Sequence, residues 1–70
     1  MKEIKFRIWM YTQGLKDLVE HPNREFLNNL YGKVTSFSKS ELFRKEASVA
    51  QELELNQVKA ELEALGAELK

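Results

Sequence analysis

Few side chains in this sequence are equipped for chemistry. His21 is the single histidine, the residue type from which general acids and bases are most often drawn. It stands next to Pro22, where it borders a turn. No nucleophile pairs with it, and no third group would orient it. Ser36, Ser38 and Ser40 crowd a helix start, a position serine takes for capping. Glu52, Glu54, Glu61 and Glu63 are spaced as solvated helix positions. The three glycines are scattered, so no phosphate-cradling loop forms. Without cysteine there is neither a disulfide nor a thiolate metal site, and one histidine cannot build a His-rich one. The expectation is a protein that is not an enzyme and holds no cofactor or metal.

Recognition chemistry is better supplied. Ile4, Phe6, Ile8 and Met10 alternate with Lys5, Arg7 and Trp9. That period of two, in β-branched and aromatic residues, predicts a strand from Lys2 to Tyr11. A helix competes, because Ile4, Ile8 and Tyr11 also lie 4 and 3 apart. On the strand reading Arg7, Trp9 and Tyr11 face away from the core. Trp, Tyr and Arg are the residue types enriched at binding hot spots, so these three form the expected partner-binding surface.

The second recognition feature is a heptad seam. Leu55, Val58, Leu62, Leu65 and Leu69 are spaced 3, 4, 3 and 4 apart, as in a helix that packs on another helix. A chain of 70 residues has a marginal core and commonly needs a staple. With disulfides and metals excluded, self-association through this seam is the expectation, with a dimer as its first form.

The elements around these residues read as α+β. Thr12-Gln13-Gly14 marks a turn, and Leu15, Leu18 and Val19 a short helix. Pro22 opens another helix, with Phe26, Leu27, Leu30 and Tyr31 on one face and Gly32 as its C′ residue. Lys33 to Phe37 suggests a second short strand around Val34. Ser38-Lys39-Ser40-Glu41 reads as a capping box opening one helix to Lys70, a rod of about 48 Å at 1.5 Å per residue. Residues 1–70 make one domain, with a strand and short-helix segment over 1–37 and the long helix over 38–70. Leu42, Phe43, Ala50 and Leu53 lie off the heptad seam, so they are expected to pack on the chain's own N-terminal segment. Ala60, Ala64 and Ala67 form a small-residue stripe opposite the leucines.

The net charge is zero, but residues 1–45 carry a balance of +4 and residues 46–70 a balance of −4. Solvation of both halves accounts for this, as would head-to-tail attraction between copies or a basic face aimed at an acidic partner. No apolar run approaches the roughly 20 residues of a membrane span, and the start lacks a signal-peptide apolar region. A cytoplasmic protein is expected.

Nucleic-acid binding is the alternative. Leu27 to Glu46 can be written as helix, turn, helix, with Lys39, Arg44 and Lys45 for phosphates and Ser40 for a base edge. Overall neutrality and Glu41 argue against it.

The opening Met1-Lys2-Glu3-Ile4-Lys5-Phe6-Arg7-Ile8-Trp9 resembles the start of the phage-encoded YopX-like proteins, which begin with a similar basic, aromatic strand. The resemblance covers nine residues and implies a phage or prophage origin. The functional expectation is a small oligomeric interaction protein that inhibits or modulates a larger host protein. The alternative is a DNA-binding regulator dimerised by its C-terminal helix.

Overall fold

The computed structural model describes residues 2–68, all but the side chain of Lys2. These residues form four helices and no strand: α1 (Lys2–Glu20), α2 (Arg24–Ser38), α3 (Glu41–Glu46) and α4 (Val49–Glu68). The expected α+β architecture is therefore corrected to an all-α bundle.

The first strand fails because the apolar period is helical once the window is lengthened. Ile4, Ile8, Tyr11, Leu15 and Leu18 recur at 4, 3, 4 and 3, and all are buried. Phe6 and Met10, which alternation would place inside, are 57% and 46% exposed. The expected turn at Thr12-Gln13-Gly14 lies inside α1. A Cβ on Gly14 would stand 3.0 Å from Leu30 Cδ2 and 3.6 Å from Phe26 Cζ. Gly14 thus serves the close approach of α2 rather than a bend. Pro22 ends α1, since a residue before proline is steered out of the α region. Asn23 then caps α2, accepting a hydrogen bond from the Phe26 amide at 3.0 Å.

The second strand is also absent. Leu27, Leu30, Val34 and Phe37 follow at 3, 4 and 3 and form the buried stripe of α2. Gly32, the expected C′ residue, sits mid-helix, and among the described residues no glycine has a positive φ. A Cβ at Gly32 would meet nothing within 4 Å. Gly32→Ala is therefore expected to stabilise the fold by about 0.5–1 kcal/mol through helix propensity alone. A urea titration checks this, and an unchanged or lowered midpoint would contradict it.

The long C-terminal helix is two helices. Ala47 is extended, at φ −71 and ψ 137, and separates α3 from α4. A straight continuation would carry Arg44, Ser48 and Gln51 along the leucine seam; the break instead turns Phe43 into the core. The capping chemistry is displaced accordingly. Ser40 caps α3, accepting from the Phe43 amide, while Ser38 donates to the Thr35 carbonyl within α2. The reciprocal box lies at α4: the Ser48 amide donates to Gln51 Oε1 at 2.9 Å, and the Gln51 amide to Ser48 Oγ at 3.1 Å. Of the residues expected to pack upstream, Phe43 is buried and Leu42 partly so, whereas Ala50 and Leu53 are exposed.

The path runs up, down, up. Short connections make α1 antiparallel to α2, and α2 antiparallel to α4, with α3 crossing one end. The bundle measures 35 × 17 × 17 Å. Its core joins α1, α2, Phe43 of α3 and the seam of α4, where Leu55 and Leu62 are 1% exposed.

Candidate protein interaction surface

The leucine seam is occupied within the chain. Leu55, Val58 and Leu62 are buried, and Leu65 packs partly against the same core. Leu69, the fifth seam residue, lies outside the described residues. The bundle supplies what the heptad spacing requires, namely the apolar stripes of α1 and α2. The seam residues are therefore not displayed to a second copy.

The partner-binding trio is split by the helix. A helix advances about 100° per residue, so Arg7, Trp9 and Tyr11 cannot share a face. Tyr11 is buried at 4% exposure and packs edge-on against Phe37, with ring centroids 5.9 Å apart. Arg7 lies over the Phe37 ring at 5.3 Å and pairs with Glu3 at 3.3 Å. The Tyr11 hydroxyl, and after it the Glu3 carboxylate, hold the Arg7 guanidinium above its ordinary pKa. Of the three only Tyr11 is withdrawn into the core; Arg7 and Trp9 are both exposed, on different sides of α1.

The neighbours of Trp9 on its side are Phe6 and Met10, at the i−3 and i+1 positions. Phe6 and Trp9 are stacked, with centroids 6.1 Å apart and planes 22° from parallel, and each is 57% exposed. Phe6 and Met10 also form one bank of an open groove of about 1040 Å³ between α1 and α2. Asn29, Gly32 and Lys33 line the other bank. The alternation of the sequence hid Phe6 and Met10 by assigning them to the core. Trp9 and Met10 stand 3 and 4 residues after Phe6, and that helical spacing was the signal that could have found them.

Tyr31 joins α2 to α4 on another side. Its phenol donates to Glu63 Oε2 at 2.7 Å. That bond, then desolvation and the carboxylate's charge, hold the Tyr31 pKa above its ordinary value. A phenol raised in the folded state adds stability that is whole below the unfolded pKa, about 10. That stability disappears as pH climbs through the folded value. Tyr31→Phe is expected to remove this part of the alkaline loss. Melting temperatures of both proteins from about pH 9 upward decide the matter, and parallel curves would exclude it.

Of the groups named by the helix–turn–helix alternative, Lys39, Arg44 and Lys45 are exposed, and Ser40 is taken up in capping. The Ser40 hydroxyl donates to the Phe37 carbonyl at 2.7 Å and accepts from the Phe43 amide. Lys45 pairs with Glu41 at 3.3 Å. His21 lies exposed in the link between α1 and α2. Among the described residues no group of three or more His, Asp or Glu could hold a metal ion, and no helix is long and apolar enough to cross a membrane. No protein-family model, curated protein or solved structure matches the chain.

Proposed function

We propose that this protein is a non-enzymatic interaction module that docks on a larger protein through the outer face of α1, modulating or blocking it. The observation that carries the reading is the stacked Phe6–Trp9 pair beside Met10, held in solvent on a bundle whose core is already closed. Large apolar rings grouped on a surface mark interaction sites. The Arg7 guanidinium at the edge of this face lies over the Phe37 ring and pairs with Glu3. The open groove alongside, with Asn29 and Lys33 on its far bank, adds polar groups that can set orientation.

The test is affinity capture from source cells with Trp9→Ala as the matched control. Trp9 is exposed, so the variant is expected to keep its helicity and melting temperature. A partner retained by the wild-type chain is expected to bind the variant more weakly by at least about 2 kcal/mol, the hot-spot scale. Equal capture by both proteins would remove the α1 face from consideration.

A further inference from the structure

We propose that a second copy of this chain is one occupant of the α1 face, and that it docks there with the outer face of its α4, head to tail. This rests on the preceding reading of the α1 face and names a partner for it.

α4 is apolar on two opposite sides. One side is the buried seam. On the other, Val49 and Leu53 are 73% and 64% exposed, and Ala60 and Ala64 continue the same line, also exposed. The spacing of 4, 7 and 4 keeps these residues on one helix face. Among the described residues these four side chains stay exposed, and Ala64 borders the cleft toward α1. That face therefore presents two large apolar side chains followed by two methyl groups.

Charge selects between the ways two copies could meet. Val49–Glu68 carries five glutamates and one lysine, so the outer face of α4 is edged by acid. Around Phe6 and Trp9 the face of α1 is edged by Lys5 and by Arg7, which pairs with Glu3, with Lys33 across the groove; the first further acid on that side is Asp17, two turns on. Joining α1 to α1 would set basic edges together, and joining α4 to α4 would set rows of glutamate together. Only α1 on α4 brings apolar surface onto apolar surface with opposite charge at both rims, the arrangement that favours encounter and fixes register. The two faces are different, so the contact is heterologous: each added copy leaves one face of either kind free, giving a ring or an open chain.

Sedimentation of the full chain tests this. The wild-type mass is expected to rise with concentration from 8.2 kDa past that of a dimer. The association is expected to weaken several-fold as salt goes from about 0.05 M to about 0.5 M. Trp9→Asp destroys the α1 face and Ala60→Arg the α4 face. Both positions are exposed, and circular dichroism verifies the fold of each variant. Each variant alone is expected to be monomeric at every concentration. Mixed, they are expected to form a one-to-one pair that grows no further, because the mixture contains one intact face of each kind. Assembly that survives in Ala60→Arg would mean α1 meets α1, and assembly that survives in Trp9→Asp would mean α4 meets α4. Either result overturns the proposal, as does a wild-type chain that stays monomeric or a mixture that fails to pair. A monomeric wild type whose captured partner is still lost on Trp9→Ala would overturn self-recognition while keeping the α1 face. Capture indifferent to Trp9→Ala would remove both.

Discussion

Leu62→Ala is expected to leave the protein largely unfolded at room temperature. Leu62 is 1% exposed and sits in the seam where α4 meets α1 and α2. Truncating a buried leucine costs about 2–5 kcal/mol, the transfer free energy of the lost methyls plus that of the cavity left behind. Below about 80 residues a single core rarely supplies more than about 3–5 kcal/mol in total. The substitution thus removes a quantity comparable to the whole stability. Far-UV circular dichroism through a urea titration measures it. Leu62→Glu is expected to go further, giving an unfolded chain at all concentrations rather than a folded, dissociated one. A loss below about 1 kcal/mol for the alanine variant would mean that the seam is not core.

Phe43→Ala is expected to cost about 3–5 kcal/mol. Phe43 is 6% exposed and lies 5.2 Å, centroid to centroid, from Phe37, which in turn meets the edge of Tyr11. Truncation opens a cavity and removes an aromatic pair worth a further fraction of a kcal/mol. The effect extends beyond the site. α3 has six residues, too few to hold a helix by backbone bonding alone, and Phe43 is its one buried side chain. Amide exchange should therefore accelerate across Glu41–Glu46 before the remainder of the bundle opens. Protected α3 amides in a stable Phe43→Ala protein would show that another contact anchors the segment.

The sequence displays the three buried stripes plainly, but it does not display their partners. Ile4, Ile8, Tyr11, Leu15 and Leu18 carry the same 3-and-4 rhythm as Leu55, Val58 and Leu62. Periodicity is a property of one helix and is silent on which helix covers it. The seam of α4 is therefore legible as buried and illegible as intrachain. In residues 4–10 two periods coexist, and the strand reading follows from stopping the window at Tyr11. Gly14 strengthens that error, because a glycine needed for close packing looks identical in sequence to one needed for a turn. The break at Ala47 depends on the reciprocal bonds of Ser48 and Gln51, in competition with a serine-rich signal ten residues earlier. At the candidate surface, Trp9 and Arg7 are recognisable by residue type alone. Phe6 and Met10 join them, and Tyr11 leaves them, only when α replaces β.

The up-down-up path gives the bundle a mechanical polarity. α1 begins at one end of the 35 Å long axis. Glu68 closes α4 at the other end, where it lines a cleft with Val19 and Glu20. Domains more commonly bring their ends close together. Tension applied between Lys2 and Glu68 would act along the helix axes and slide α1 past α4. Under that load the packed levels between α1 and α4, from the Ile4 end to the cleft where Val19 meets Leu65, share the force and yield together. Peeling α1 away from Glu20 would break them one at a time.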